Sequence, residues 1–326
     1  MPENTYEVIR YDETNFAFIT RQLASVVPHA HREIEIGLVM KGQPRLRTGT
    51  ADCLLRPGSL WVVNPFEGHS LRTRSIRAPY AFVALQMPLS FFRGYFPRAE
   101  HIRFDVTDLT AATLEEEDVT RLRELLLEGA RNYWQAAPNY PLRCAAAING
   151  IMALLLEKVP HRVLSDQDLR DADLRAARLQ RLTDDIEEHM GGKLLLSDLA
   201  EREGLSMAYL SHLFSREMGI PFQTYLNGLR CRRAVALLMQ TDQSLSEISL
   251  ACGFSALKYM TRGFVERYGC TPAEFREAGL EALQRPAEED SAPPSLYTPR
   301  TRAECLRFLE KLEAQNRGAG GKGNEE

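Results

Sequence analysis

Leu199-Ala200, Gly204-Leu205-Ser206, Tyr209-Leu210, Phe214, Gly219 and Pro221 return as Ile248-Ser249, Gly253-Phe254-Ser255, Tyr259-Met260, Phe264, Gly269 and Pro272. The offset is about fifty residues and grows by one across each turn. Each copy reads as a short helix, a tight turn at glycine and a longer helix, which is a helix-turn-helix. Gly204 and Gly253 supply the left-handed turn position. Ser206 and Ser255 are expected to cap the second helices, and Gly219 and Gly269 to end them. Ser244-x-x-Glu247 and Thr271-x-x-Glu274 are capping boxes, the latter with Pro272 at the first helical position. A helix over Phe222–Met239, with Phe222, Leu226, Leu229, Ala234, Leu237 and Leu238 on its seam, joins the units. One such unit is a weak signal, but two on one rigid connector can enter successive major-groove turns about 34 Å apart.

Outward from this repeat the pattern changes. Residues 1–115 alternate with period two in short runs (Ile34 to Met40, Pro44 to Arg47, Ser59 to Val63, Tyr80 to Met87) between turn residues, predicting a small β sandwich or barrel. Residues 116–160 change to helical spacing. Leu122, Leu125, Leu126, Ala130, Tyr133 and Trp134 mark one helix. Ala145, Ile148, Met152, Leu155, Leu156 and Val159 mark a second after Pro138 and Pro141. Their seams suit either a dimer surface or packing on the β domain. Residues 161–177 read as a charged linker with helical tendency, and 178–278 as all-helical. Residues 279–326 read as a mostly disordered tail, with a Pro/Glu/Asp/Ser stretch at 286–294 and a short helix over Arg302–Ala314. The fold class expected is a multidomain α+β chain: a β-barrel with a helical pair, then an all-α domain with two helix-turn-helix units.

Composition narrows the function. The chain has 326 residues, 44% hydrophobic and 26% charged, with a formal charge of −4. That balance excludes attachment to nucleic acid by bulk positive charge, so any contact needs a local basic face. From Gly204 to Arg276, eight Lys and Arg stand against five Asp and Glu, and Asp184 to Glu188 place acids on the preceding helix, so charge is segregated. No apolar run approaches the ~20 residues of a bilayer span. The start Met1-Pro2-Glu3-Asn4-Thr5 lacks signal-peptide features, and the six scattered cysteines form no C-x-x-C pair; both predict a cytoplasmic protein with reduced thiols.

The C-terminal repeat resembles the DNA-binding domain of the AraC/XylS family of bacterial transcription regulators. The matching run is Ser197-Asp198-Leu199-Ala200, Gly204-Leu205-Ser206, Tyr209-Leu210-Ser211-His212-Leu213-Phe214, Arg230, Arg233-Ala234 and Leu237-Leu238. It continues through Glu247-Ile248, Cys252-Gly253-Phe254-Ser255, Tyr259-Met260-Thr261-Arg262-Gly263-Phe264, Tyr268-Gly269, Thr271-Pro272 and Phe275-Arg276. Leu195 in place of a Ser/Thr cap, Ser249 in place of Ala and Met260 in place of Phe depart from the family pattern. Helix geometry turns Leu210, Leu213 and Phe214 inward and Met207, Ala208, Ser211, His212 and Ser215 outward. In the second unit it turns Tyr259, Met260 and Phe264 inward and Leu257, Lys258, Thr261, Arg262 and Val265 outward. The resemblance implies base reading by Ala208, Ser211, His212, Lys258, Thr261 and Arg262, Arg262 being suited to a bidentate guanine contact. It implies phosphate contacts from Lys193, Ser206, Arg216, Ser255 and Arg267, which position rather than specify. Double-stranded promoter DNA, RNA polymerase and a second copy of the chain are the macromolecular partners it implies.

Pro28-His29-Ala30-His31 leads to Glu35 and Gly42, the H-x-H-x3-E-x6-G spacing of a cupin barrel's first motif. Pro57-Gly58, Pro65 and Gly68-His69 resemble a compressed second motif without its final Asn. The resemblance implies a cupin-like effector-sensing domain in which His29, His31, Glu35, Trp61 and His69 line a small-molecule pocket, with no metal and no cofactor assigned. The donor types themselves leave another reading open: three imidazoles and a carboxylate suit one divalent metal. Ile34, Ile36, Leu38 and Met40, on the opposite face of the strand, must be covered by a sheet, the helical pair or a partner. The function expected is an effector-controlled, sequence-specific transcription regulator of activator type, not an enzyme; a metal-dependent cupin enzyme fused to a DNA-binding domain is the alternative.

Overall fold

Ile34–Lys41 (β2) carries Ile34, Ile36, Leu38 and Met40 on one face and Glu35, Gly37 and Val39 on the other, and every residue but Lys41 is buried. A strand covered on both faces needs two partners, and the computed structural model, which describes residues 14–23, 28–73, 79–112, 114–277 and 301–320, supplies them. β2 lies in an antiparallel sheet ordered β1-β7-β2-β5, with β1 at Ala17–Leu23, β5 at Leu60–Val63 and β7 at Tyr80–Met87. A three-stranded sheet, β4-β3-β6, uses Asp52–Leu54, Arg45–Thr48 and His69–Arg72. Between the sheets Val39, Leu46, Leu55, Trp61, Val63, Leu71, Tyr80, Phe82 and Ala84 form one buried cluster. Gly37 is required there, because a Cβ would fall 1.9 Å from the Trp61 ring.

The other face of the four-stranded sheet is covered by the helical pair. After a short helix, α1 (Leu109–Ala112), come α2 (Glu116–Gln135) and α3 (Tyr140–Lys158). Leu122, Leu125, Leu126, Ala130 and Trp134 share a cluster with Ile34, Ile36, Leu38 and Met40. The two surfaces considered for dimerisation, the α2 seam and the Ile34/Ile36/Leu38 face, therefore cover each other. Their apolar area is satisfied within one chain, and neither is open to a partner.

The stretch 161–177 does not run as an irregular linker. His161–Val163 (β9) pairs antiparallel with Ile102–Phe104 (β8). Ser165 and Asp168 form a capping box that opens α4, Asp166–His189. The polar first half of α4 is held as helix by side-chain pairs one turn apart, such as Gln167 Nε2 to Asp171 Oδ1 at 2.9 Å. Its second half buries Ala176, Leu179, Leu182 and Ile186, so linker and first helix of the next unit are one element.

Two helix-turn-helix units follow: α5 (Leu196–Arg202) with α6 (Met207–Met218), and α8 (Leu245–Ala251) with α9 (Leu257–Tyr268). The joining helix α7, Phe222–Gln240, contributes Phe222, Tyr225, Leu226 and Leu229 to the first core and Ala234, Val235 and Leu238 to the second. Gly204, Gly219, Gly253 and Gly269 all have positive φ. Ser206 caps α6, accepting from the Tyr209 amide at 3.2 Å. Ser255 does not cap α9, whose N-cap is Ala256. One more residue stands between Ser255 and Tyr259 than between Ser206 and Tyr209, which puts the hydroxyl out of reach of the first-turn amides. A further helix, α10, runs through 272–277, opened by Thr271 and Glu274 as a reciprocal cap.

The tail helix extends to Gly320 (α11, Arg302–Gly320) and is docked. Cys305, Leu309 and Leu312 are buried in the cluster of α2 and the sheet. Arg302 lies 5.2 Å from the Tyr133 ring and 5.0 Å from the Tyr140 ring, and Arg131 pairs with Glu313. The 286–294 stretch lies outside the described residues. Burial pushes the Cys144 and Cys231 thiols up to about 12, so these are packing residues without thiolate chemistry. Among the described residues no helix is long and apolar enough to cross a membrane. Leu309 is fully buried, so Leu309→Ala is expected to cost ~2–5 kcal/mol of N-terminal stability. Both tryptophans, Trp61 and Trp134, lie in that half, and urea unfolding followed by their fluorescence checks it; an unchanged midpoint would mean that α11 contributes nothing.

Candidate functional site

The outward faces of the two recognition helices, α6 and α9, are open. Ala208, Ser211, His212 and Ser215 are exposed on α6, while Leu210, Leu213 and Phe214 are buried. On α9, Lys258 and Arg262 are exposed and Thr261 is half-buried, its hydroxyl donating to the Leu257 carbonyl at 3.1 Å. Met260 and Phe264 face inward as expected; Tyr259 does not, being 47% exposed. It stands on the rim of the first turn, with the Lys258 ammonium 5.1 Å from its ring. Arg262 Nε donates to Glu266 Oε1 at 2.7 Å, an exposed and therefore weak pair. Among the phosphate candidates, Lys193, Ser206, Arg216 and Ser255 are exposed. Arg267 lies back against Gly228 of α7 and lines a cleft between the two halves of the chain with Arg47 and Arg72.

The second assembly lies at the barrel end nearest α6. His29 and His69 exchange backbone hydrogen bonds of 3.0 and 2.9 Å, which sets the 28–31 segment alongside β6. The rings of His29, His31 and His69 gather with centroids 5.7, 4.2 and 5.0 Å apart. One ligand nitrogen of each lies within 4.8 Å of the others. His31 Nε2 is 3.5 Å from Glu35 Oε2, and His69 Nε2 is 3.9 Å from Glu35 Oε1. The carboxylate is itself fixed: Trp61 Nε1 donates to Oε1 at 3.2 Å and Gln86 Nε2 donates to Oε2 at 2.7 Å. His29, His31, Glu35, Trp61 and His69, separated by up to forty positions, are thus brought into one buried site.

Electrostatics here pull both ways. Burial acts to raise Glu35, but the His31 hydrogen bond and the charges of His69, His31 and His29 outweigh it and hold the carboxyl well below its usual range. Burial pulls His69 down toward the neutral form against the attraction of Glu35. A neutral His69 withdraws one of the charges on which Glu35 depends. Glu35 is nonetheless read as ionised, because both its oxygens accept N–H donors.

The site touches the DNA-binding half directly. Ala30, between the two histidines, points the other way and is buried in the cluster of Leu210, Leu213, Phe214, Met218 and Ile220. The Gly68 amide donates to the Glu217 carbonyl at the end of α6 at 3.0 Å. Gly219, the residue that stops α6, lies against Thr48 of β3, and Thr48 is the cross-strand partner of His69.

A family model described as the AraC-like ligand binding domain matches residues 18–148, and one described as a helix-turn-helix domain matches residues 199–278. The solved C-terminal domain of the two-component response regulator yesN from Fusobacterium nucleatum is 35% identical, covering 31% of this chain and 98% of that one, at a TM-score of 0.30. The chain belongs to the AraC/XylS family of transcription regulators. Across both halves it is 25% identical to the HTH-type transcriptional activator RhaS of Escherichia fergusonii, covering 76% of this chain and 83% of RhaS. An uncharacterised HTH-type transcriptional regulator of Staphylococcus aureus strain MSSA476 is 24% identical over 74% of this chain, which spans only 31% of that relative's length. ToxT from Vibrio cholerae overlaps 81% of the chain at 11% identity and a TM-score of 0.44.

Within this family architecture, sequence reading missed Gln86, Gly68 and Ala30. Gln86 carried a signal: it is the lone polar side chain in the apolar run Tyr80–Met87, and a buried amide needs a partner. Gly68 and Ala30 act through contacts between halves and left no pattern. A Cβ at position 68 would lie 2.0 Å from the Glu217 oxygen and 2.7 Å from the Met218 Cα. Gly68→Ala is therefore expected to push the end of α6 off the barrel and to leave the barrel intact. Amide exchange should accelerate over 216–220 with an unchanged tryptophan unfolding midpoint; unchanged exchange would show that the contact adds no protection.

Proposed function

We propose that this chain is a sequence-specific DNA-binding transcription regulator whose N-terminal barrel binds a small effector and passes that event to the DNA-reading helices. One observation carries the reading: two helix-turn-helix units keep their reading faces open while the barrel docks on the end of the first recognition helix. On this reading Arg262, Lys258 and Thr261 specify bases from α9, and His212, Ser211 and Ala208 from α6. Lys193, Ser206, Arg216 and Ser255 meet phosphates, and Arg267 does so once its cleft opens. The effector contacts are His29, His31, Glu35 and His69, with Trp61 as the wall. The chain acts by binding rather than by catalysis, in the cytoplasm where promoter DNA is.

An activator role with RNA polymerase as partner fits the resemblance, as does assembly into a homodimer. That dimer needs a surface other than the α2 seam. Exposed apolar side chains outside the reading faces include Leu142 and Tyr95, 76% and 63% exposed.

The test is a pair of titrations on operator and random-sequence DNA at fixed salt. Arg262→Ala is expected to weaken operator binding by ~1–3 kcal/mol and to relax preference at one base pair, leaving random-sequence affinity nearly unchanged. His212→Ala acts in the same direction from the first unit. Equal losses on both DNAs would assign these residues to the phosphate backbone and remove them from base reading.

A further inference from the structure

We propose that the cleft between the outer face of the barrel and the helices α7 and α9 is a binding site for a small free phosphate, gripped by Arg47, Arg72 and Arg267 together. The barrel supplies one wall. β3 pairs with β6 so that Arg45 stands opposite Arg72 and Arg47 opposite Ser70, with Leu46 opposite Leu71 between them. Leu46 and Leu71 are buried between the sheets, so alternation puts Arg45, Arg47, Arg72 and Ser70 on the outer face. Like charges directly opposite on neighbouring strands are destabilising. Asp52 answers two of the three arginines, accepting from Arg45 Nη1 at 2.8 Å and from Arg47 Nη2 at 3.2 Å. Arg72 has no ion-pair partner among the described residues.

The helical half supplies the other wall. Thr224, Asn227 and Gly228 of α7 and Glu266 and Arg267 of α9 line the same cleft of about 140 Å³, several times the room one water needs. Glu266 is the one acid in this lining, and its Oε1 is engaged by Arg262 on the outward face of α9. The three cations feel one another: after burial, Arg47 and Arg267 are the neighbours that pull the Arg72 pKa down. Arg267 reaches the cleft because residue 228 is glycine. A Cβ there would lie 2.3 Å from Arg267 Nη2 and 3.0 Å from its guanidinium carbon, and its three nearest atoms all belong to Arg267. Gly228 lies inside α7, where glycine is less favourable than alanine, and no turn requires it. Its role is to give the guanidinium room.

The chemistry of the lining selects the ligand. A guanidinium fork pairs with two oxygens of a phosphate, and three forks suit a tetrahedral anion better than a carboxylate with its two oxygens. The Ser70 and Thr224 hydroxyls and the Asn227 amide add donors, since Asn227 Oδ1 already accepts from Gln223 Nε2 at 3.1 Å. A DNA duplex does not enter a cleft of this size, so the phosphate is that of a small solute.

The test titrates the full chain in chloride buffer with sodium phosphate, followed by calorimetry and by melting temperature. One phosphate per chain and a melting temperature that rises with phosphate are expected. Arg72→Gln and Arg267→Gln should each weaken binding ~10–100-fold, the worth of one charge-assisted contact. Gly228→Ala should do the same while circular dichroism keeps its native helix content, because alanine favours the helix and only the guanidinium is displaced. Arg56→Gln removes the same charge from the barrel outside the cleft and should change nothing. Equal weakening by Arg56→Gln and Arg72→Gln, absence of saturation in the wild type, or acetate binding as tightly as phosphate overturns the site. Arg72→Gln should also leave random-sequence DNA affinity unchanged. A loss there equal to its loss of phosphate would assign the cleft to the DNA backbone and overturn the small-solute reading. Failure of the wild type to bind operator DNA bears on the regulator reading alone.

Discussion

Three consecutive residues form one of the contacts between the two halves of this molecule. His29 and His31 face the interior of the barrel, and Ala30 between them is buried among Leu213, Met218 and Ile220 of the first DNA-reading unit. Period-two alternation makes this unavoidable once the segment is extended. The same strand edge cannot move for one side without moving for the other. Gly68 makes a comparably close approach, since a Cβ there would fall 2.0 Å from the Glu217 oxygen. The barrel and the DNA-binding domain thus meet through close backbone approach, with Gly49, Gly68 and Gly219 each placed where a Cβ would meet backbone of the other half within 3.0 Å.

Much of this was legible in the sequence. The repeat at about fifty residues placed both helix-turn-helix units, both turn glycines and the joining helix. The inward residues Leu210, Leu213, Phe214, Met260 and Phe264 lie where 3.6-residue periodicity puts them. Tyr259 departs because the first turn of a recognition helix lies at the edge of a small core, where an amphipathic ring is stable half in water. The cupin-type spacing named His29, His31, Glu35 and His69, which the fold brings side by side, since alternation along strands fixes which side chains share an interior.

What the sequence did not carry was the pairing of surfaces. Both candidate dimer faces were read correctly as apolar, yet apolar periodicity says only that a face must be covered, not by what. Intramolecular cover won: the sheet takes α2, and α2 takes α11. The same limit applies to 161–177, where the charged composition resembles a linker. Helical side-chain pairs and the Ser165–Asp168 box keep the segment ordered, and composition alone does not register spacing.

One feature opposes the docked arrangement. Arg47 and Arg72 from the barrel and Arg267 from the second unit line a single cleft of about 140 Å³. Burial first, then the charges of Arg47 and Arg267, pull the Arg72 pKa down, so the three guanidiniums repel across the boundary between the halves. Arg47 is compensated by Asp52 at 3.2 Å, within its own sheet and not across the cleft. Among the described residues the contact includes a backbone hydrogen bond, close glycine packing and Ala30, and this repulsion acts against it in any equilibrium between docked and undocked states. A ligand moves such an equilibrium only by its preference for one state, about tenfold for each 1.4 kcal/mol. A ligand that orders 28–31 and 67–69 would act on groups that make the contact, so its preference would bear directly on that equilibrium.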